Sequence, residues 1–462
     1  MTFRPGLFFT GKIPYRLKLL VFIFLGMIIN FFTSCKKEDN HSVEPLVSLV
    51  SPDEGSDYNV FDTVFIKANI KHNIKILKAT LAITDKDSKI LVGGPFFTPD
   101  NTQFDINAFI VLNNKYIEST ENYLLLQVED ENEIFNFWYS IRIFPLDREL
   151  KNLIVVTSLP DSKFLAGRAA ANSSKTTGRY NLYKVNLSGS YEKLNSSFNE
   201  YIGGYTDSRY ELFYSCGSES EGISALDIKN GGVKWTIPAH PTGSIPYFIS
   251  FDGTEGQMAT GLFDGSVESY DQNGLILMKS AKITAGRFKA VMNFNKWIVG
   301  AFSTFDGTND KLYIFNNPAG NQYDKINLPG EFIDFIQLDQ GTLLIAININ
   351  GRNEAYTYKF SDKLFYYLNE ISTDTISKPA GGEDNIFFIS DNDIKWYRPN
   401  IGSTVNYLTV PNASAIAFDP LSNLLIVGKG HQLYLYSLPL TQPLATIDLP
   451  KEIVDISLMY NK

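Results

Sequence analysis

The sequence predicts an all-β protein in which a β-sandwich is followed by a seven-bladed β-propeller. Three observations carry this prediction: apolar residues alternate with polar ones between residues 46 and 148, a strand motif recurs at intervals of about 42 residues after residue 149, and turn residues separate short apolar runs throughout. The 462 residues are 14% aromatic. They provide enough apolar residues for more than one core.

The N-terminal segment, residues 1–34, reads as an export signal. Four basic residues precede an apolar run from Leu19 to Phe32, which is shorter than a membrane span and typical of a signal-peptide core. Thr33 and Ser34 then precede Cys35, and this pattern resembles a bacterial lipobox with Phe32 in place of the usual leucine. The resemblance implies a lipid attached to Cys35, which becomes the first residue of the mature chain. A plain secretory leader or a short membrane anchor is the alternative.

Residues 35–45 form the predicted lipidated tether. The charged run Lys36 to Asp39 resembles the export signal of surface lipoproteins of the Bacteroidetes type, which implies an outer-membrane protein facing the medium. Removing the leader deletes four basic and no acidic residues, so the net charge falls from -9 to -13. An acidic protein of this kind is not expected to bind nucleic acid or anionic lipid surfaces.

Residues 46–148 are predicted to form the sandwich. Val64, Ile66 and Ala68 alternate with Phe65, Lys67 and Asn69, and a second run from Ala79 to Thr84 behaves likewise. Two further runs, 124–128 and 135–143, flank a polar turn and predict a hairpin. Short strands opened by the turn 51–55 resemble the immunoglobulin-like sandwich of bacterial surface lipoproteins.

Residues 149–462 contain the repeat. Seven copies of an apolar-aromatic strand begin at Leu182, Ile223, Val267, Leu312, Ala355, Ile394 and Leu433, at spacings of 41, 44, 45, 43, 39 and 39 residues. This period with four strands per unit predicts seven propeller blades. The first blade lacks one strand, and the run from Ile453 to Leu458 has the character of that strand. We therefore expect the C-terminal run to pair into the first blade and close the ring.

Two repeats resemble a known family. The segments 224–235 and 264–274, with their aspartate and glycine turns, look like the blade consensus of quinoprotein-like and WD-repeat-like propellers, in which a tryptophan such as Trp235 docks between blades. Quinone-dependent members carry a vicinal cysteine pair and a calcium site. This chain has only Cys35 and Cys216, so the resemblance implies the fold without a cofactor. Cys216 lies in a strand-like run and is interpreted as a core residue.

The sequence shows few candidates for chemistry. The four histidines, His41, His72, His240 and His431, have no metal-ligand spacing, and no phosphate-binding loop occurs. The oxygen-rich run 306–310 is interpreted as a hairpin turn rather than a calcium site. We therefore expect no catalytic residue, no metal and no cofactor.

The long insertion 158–178 is the predicted binding segment, because loops of this length in a compact fold are usually functional or disordered. Arg168, Lys175 and Arg179 are its candidate ligand-binding residues, since they would attract anionic groups. The preferred function is a non-catalytic binding or scaffold lipoprotein that presents a propeller face to a protein partner. The alternatives are capture of a small nutrient or glycan for a TonB-dependent transporter, and a hydrolase or lyase with carboxylates in the propeller funnel.

Overall fold

The computed structural model describes residues 43–158, 179–217, 221–238, 248–307 and 310–462. The protein is all-β and divides into two compact units, Met1–Leu146 and Asp147–Lys462. Within the described residues no helix has both the length and the apolar character needed to cross a membrane. The predicted signal peptide, Cys35 and most of the tether lie outside the described residues.

The first unit is a β-sandwich of two sheets. One sheet has the order β1-β3-β6 and the other the order β2-β8-β7-β4-β5. The strands are β1 (Leu46–Ser51), β2 (Ser56–Asn59), β3 (Thr63–Ile76), β4 (Lys78–Asp85), β5 (Ile90–Phe97), β6 (Asn101–Val111), β7 (Glu121–Glu129) and β8 (Ile134–Phe144). Side chains from both sheets share one core, so the sheets pack face to face.

The predicted hairpin 124–143 is confirmed as β7 and β8, which pair from Glu121 opposite Arg142 to Glu129 opposite Ile134. Asp130 shapes its turn by accepting hydrogen bonds from the backbone N–H groups of Asn132 and Glu133. The same carboxylate contacts His72 on β3 at 2.8 Å. This buried pair ties the hairpin to the opposite sheet. The immunoglobulin-like topology stays a prediction.

The second unit consists of seven four-stranded sheets, which confirms the seven-bladed propeller. Blades two to four are β12 (Gly203–Asp207) to β15 (Val233–Ile237), β16 (Phe248–Thr254) to β19 (Ile276–Lys279) and β20 (Gly286–Phe294) to β23 (Gln322–Asn327); between the ends lie β13 (Leu212–Cys216), β14 (Ile223–Asp227), β17 (Gln257–Leu262), β18 (Val267–Asp271), β21 (Trp297–Thr304) and β22 (Lys311–Asn316). In each blade the first strand in sequence is the innermost.

Blades five to seven follow the same plan. They are β24 (Glu331–Gln337) to β27 (Leu364–Ser372), β28 (Ile376–Gly382) to β31 (Ser403–Thr409) and β32 (Ala413–Asp419) to β35 (Ala445–Asp448); between the ends lie β25 (Thr342–Ile349), β26 (Arg352–Lys359), β29 (Asn385–Ser390), β30 (Asp393–Arg398), β33 (Leu424–Lys429) and β34 (Gln432–Ser437). A single 3-10 turn, Pro399–Ile401, is the one helical segment in the described residues.

Blade one is assembled from both ends of the unit. It contains β9 (Leu150–Ser158), β10 (Tyr180–Asn186), β11 (Tyr191–Phe198) and the last strand, β36 (Glu452–Tyr460). β36 pairs antiparallel with β9, from Glu452 opposite Ser158 to Tyr460 opposite Leu150. The predicted closure by the C-terminal strand is therefore confirmed. It covers an edge of β9 that would otherwise be unpaired.

The alternation of strand direction gives the ring two distinct faces. We call the face at which the inner strands begin the upper face and the face at which they end the lower face. Counting strands outward from the axis, the turn from first to second strand lies on the lower face in blades two to seven, and the turn from third to fourth strand does so in all seven blades, because neighbouring strands are antiparallel. The connections from second to third strand, and from one blade to the next, lie on the upper face.

Candidate functional site: the two faces of the propeller

Six of the seven inner strands carry a β-bulge near their first residues, on the upper face. The register shifts fall at Ile249, Lys289, Ile333, Lys378 with its neighbour Pro379, Ser414 and Val454. We call these residues the axial rim. A bulge bends its strand and re-aims a side chain, so the same device recurs around the ring.

Lys378 joins three blades at the seam of the ring. Its Nζ donates hydrogen bonds to the backbone carbonyl oxygens of Ser414, in blade seven, and of Val454, on the closing strand, the latter at 3.1 Å. Ser414 Oγ in turn donates to the carbonyl of Ile453 at 2.6 Å. Burial lowers the pKa of Lys378 to about 8, against the opposing attraction of Asp455.

Lys289 is the second lysine of the axial rim. It is buried, and its Nζ lies 2.6 Å from Asp310 Oδ2 and 3.7 Å from Glu331 Oε1. Asp310 also accepts a hydrogen bond from the Phe332 N–H at 2.7 Å, which links blades four and five. Asp310 ends the oxygen-rich run that the sequence suggested as a turn, and its carboxylate is used within the protein. Residues 308 and 309 lie outside the described residues.

Carboxylates near the axis hold neighbouring blades together. Asp455 accepts a hydrogen bond from the Tyr201 hydroxyl at 2.5 Å, and burial with this contact raises the pKa of Tyr201 well above its usual value. Asp252 accepts from the Asn293 N–H at 2.9 Å. Among the described residues no three His, Cys, Asp or Glu side chains are grouped to bind a metal ion. The arrangement of these carboxylates accounts for blade-to-blade cohesion.

Of the three sequence-predicted binding residues, the structure describes Arg179 alone. Arg168 and Lys175 lie outside the described residues. Arg179 is exposed directly before β10, whose first residue, Tyr180, pairs with Ser158, and Ser158 also pairs with Glu452 at the start of the closing strand. Both described ends of the insertion therefore lie on the upper face. A ligand role for Arg168, Lys175 and Arg179 stays a prediction.

Cys216 and two of the histidines can also be placed. Cys216 is fully buried on β13, and burial raises the pKa of its thiol well above the usual value, so its interpretation as a core residue is confirmed. His72 contacts Asp130 in the sandwich, whereas His431 is exposed on a turn of blade seven, 3.8 Å from Asp448. His41 and His240 lie outside the described residues.

The lower face carries an exposed apolar surface that the sequence analysis missed. Leu421 lies in the first turn of blade seven, and Leu440 and Leu444 lie in its last turn; these side chains are 55%, 53% and 62% exposed. The Leu438 N–H donates to the Asn423 carbonyl at 2.9 Å and holds the two turns together. We call these three residues the leucine patch. Large aliphatic side chains grouped in this way favour contact with another molecule.

The leucine patch extends towards blade six. The Tyr407 hydroxyl, on the outer strand of blade six, donates to the Leu440 carbonyl at 2.6 Å, and the exposed Ile401 lies in the last turn of that blade. Other exposed large apolar residues also sit at lower-face turns or at the strand start after them: Tyr191, Tyr210, Val233, Leu275, Ile276 and Leu364. In the described part of the propeller, one such residue, Phe305, lies at an upper-face turn.

Comparisons with known proteins give only distant similarities. No protein-family model matches the chain, and no curated protein does. A crystal structure of Kluyvelomyces marxianus Hsv2 aligns with a TM-score of 0.41 at 13% identity, over 55% of this chain and 83% of that one. A chain of a mitotic checkpoint complex aligns at 0.42 and 12%, over 55% and 79%. A chain of a nidogen/laminin complex aligns at 0.37 and 11%, over 54% and 98%.

Proposed function

We propose that this protein is a non-catalytic, lipid-anchored scaffold on the outer membrane whose propeller binds a protein partner through its lower face. The observation that carries the proposal is the leucine patch with its extension at Ile401. Four exposed aliphatic side chains from two neighbouring blades are presented on turns whose backbones are held by hydrogen bonds. Such a preformed apolar surface suits a protein partner, because little ordering accompanies binding.

The anchor in this proposal comes from the leader and from Cys35. The acyl chains would hold the N-terminus at the membrane, while neither the sandwich nor the propeller spans the bilayer. The charged run after Cys35 supports exposure to the medium. Capture of a nutrient or glycan and a funnel hydrolase or lyase are the alternative functions that the sequence left open.

Site-specific photo-crosslinking in cells tests the lower face. A photoreactive phenylalanine analogue would replace Leu440 or Ile401 on the lower face, and Phe305 on the upper face as the matched exposed control. We expect a discrete adduct with one protein from the two lower-face positions and none from position 305. An adduct from position 305 alone would assign binding to the upper face and refute the proposal.

A further inference from the structure

The outward surface of the three-stranded sheet in the sandwich carries a second exposed apolar group. Phe65 on β3 lies opposite Phe109 on β6, and their ring centroids are 6.4 Å apart. The two side chains are 63% and 59% exposed, and Val50 and Val111 beside them are exposed as well. We call Val50, Phe65, Phe109 and Val111 the phenylalanine face.

These side chains are not part of the sandwich core. On β3 the neighbours Val64 and Ile66 are fully buried against the opposite sheet, so period-two alternation directs Phe65 away from it. On β6 Ile106 and Ile110 are buried, and Phe109 faces outward. A strand of this kind usually presents polar residues to water, so two adjacent phenylalanines there indicate a surface that meets an apolar environment.

A third exposed phenylalanine lies at the same end of the sheet. Phe61 has a φ of +80°, in the left-handed region, and its N–H donates to the Leu112 carbonyl at 2.8 Å. This conformation is sterically unfavourable for a bulky residue. The backbone of Phe61 is thus strained although its ring is exposed. Strained residues of this kind are typical of binding surfaces.

Lysines follow the phenylalanines along the same surface. Lys67 and Lys71 are exposed on β3 at the same outward parity as Phe65, and the acidic Asp105 between them accepts a hydrogen bond from Asn69 Nδ2 at 2.5 Å. Exposed aromatic rings beside lysines are typical of surfaces at the boundary between lipid and water, where the rings enter the headgroup layer and the ammonium groups meet phosphate oxygens.

The tether allows this surface to reach the membrane. β1 belongs to the same sheet and begins at Leu46, eleven residues after Cys35. Eleven extended residues span at most about 40 Å. Leu46 pairs with Lys71, so the end of the tether lies about 20 Å along the strand from Phe65. The tether is therefore long enough for the whole outward surface to lie flat on the bilayer that holds the anchor.

We propose that the phenylalanine face rests on the lipid surface to which Cys35 is anchored, and orients the sandwich there. This inference builds on the lipid anchor of the proposed function. The net charge of the mature chain opposes adsorption to anionic lipid, so burial of the rings is the driving contribution, and a bilayer of zwitterionic lipids is the matching ligand.

The direct test is a polarity-sensitive dye attached at Phe109→Cys in the lipidated protein. Trp138→Cys is the matched control, because Trp138 is 47% exposed on the outward surface of the other sheet. The native Cys216 is buried and would not react. In vesicles of phosphatidylcholine and phosphatidylethanolamine we expect a blue shift at position 109 and none at 138. Equal shifts, or no shift at 109, would overturn the proposal.

A second measurement separates the face from the anchor. The mature chain carrying Cys35→Ser has no acyl chain, and its sedimentation with the same vesicles should fall more than about tenfold when Phe65→Ser and Phe109→Ser are added. Trp138→Ser should leave it unchanged. Equal sedimentation of all variants would overturn the proposal even if lipidation at Cys35 holds. A dye shift at 109 that grows with protein concentration without vesicles would assign the face to a second copy of the chain and also overturn it.

Discussion

Lys378 links blade six to blade seven and to the closing strand β36, at the point where the ring closes. In the sequence, a lysine beside a proline in a strand looks like an ordinary exposed residue. In the structure, the β-bulge in the inner strand gives this lysine its special position. The bulge turns its amine onto the carbonyls of the two following inner strands. The sequence therefore predicts the strand but not this contact, because bulges depend on the pairing partner.

Lys378→Met should remove a pH dependence of stability. The pKa is 10.5 in the unfolded chain and about 8 in the folded protein. Between these values the unfolded chain binds more protons, so the free energy of unfolding of the wild type should rise with pH from 8 towards 10.5, by roughly 1–3 kcal/mol.

Urea unfolding of both proteins at several pH values measures the difference. Buried tyrosines such as Tyr201 lower stability above pH 10 in both proteins, and this effect cancels in the comparison. If the free energies of unfolding of the wild type and Lys378→Met differ by the same amount at every pH from 7 to 10, the account of Lys378 is contradicted. Lys378→Gly, which relieves the positive φ of 46° and also deletes the amine, should show the same loss of pH dependence as Lys378→Met.

At the scale of the strands, the contact of Trp235 with the next blade confirms the docking expected from the family resemblance. Its indole N–H donates to the Gln272 carbonyl at 2.9 Å, and a Cβ at Gly274 would lie 3.1 Å from the ring. Gly274 has a φ of +79°. The turn therefore needs glycine for its conformation and for its space.

Gly274→Ala should destabilise the protein more than Gly351→Ala. Gly351 has a comparable φ of +84° but open space at its Cβ position, so its substitution carries only the conformational cost of about 1–2 kcal/mol. Gly274→Ala adds a close contact with an indole that its hydrogen bond holds in place. Chemical denaturation measures both. Equal losses of stability would show that Trp235 is not tightly docked.

The closing strand was predictable, whereas several sandwich strands were not. The run from Ile453 to Leu458 stood out because it was left over after the seventh repeat, while the first repeat lacked one strand. β6, in contrast, carries asparagine, glutamine and aspartate among its eleven residues, so its alternation is masked by residues typical of turns. Pairing with β3 along most of its length overrides that local preference.

Truncation after Pro450 should abolish cooperative unfolding of the propeller. β36 contributes Ile453, Val454 and Ile456 to the blade cores, and burial of each such side chain contributes about 1.5–3 kcal/mol. Their combined loss approaches the whole stability of a typical domain. Calorimetry of the truncated chain and of a control lacking only Lys462 measures this. A truncated protein that melts like the control would refute closure by this strand.

At the scale of the whole molecule, the fold brings together residues that are far apart in sequence. The leucine patch combines two turns of blade seven, its extension at Ile401 adds a turn of blade six, and each of these residues alone looks like an ordinary turn residue. Repeat spacing predicts blades because it is periodic. A surface patch has no period: the folding of blade seven brings the turn of Leu421 next to the turn of Leu440, and the contact of blade six with blade seven adds Ile401. The insertion 158–178 is the binding segment that the sequence itself predicts, and that role stays a prediction.

Cys35→Ala should prevent membrane attachment. Without the thiol no acyl chain can be added, and the protein should stay unprocessed or be released. Metabolic labelling with a radioactive fatty acid and fractionation of membranes report both effects. Ser34→Ala, which keeps a small residue before the cysteine, is the matched control. Normal attachment and labelling in the alanine variant at position 35 would refute lipidation there.

The central claim is tested most directly by measuring how tightly the partner identified by crosslinking binds the purified protein. Calorimetric titration would compare the wild type with a variant carrying Leu421→Ser, Leu440→Ser and Leu444→Ser, and with Phe305→Ser on the upper face. The account predicts that the triple substitution weakens affinity by more than about tenfold, since three exposed aliphatic side chains lose their apolar contacts, and that Phe305→Ser has no effect. Unchanged affinity in the triple variant, or a loss only with Phe305→Ser, would contradict it.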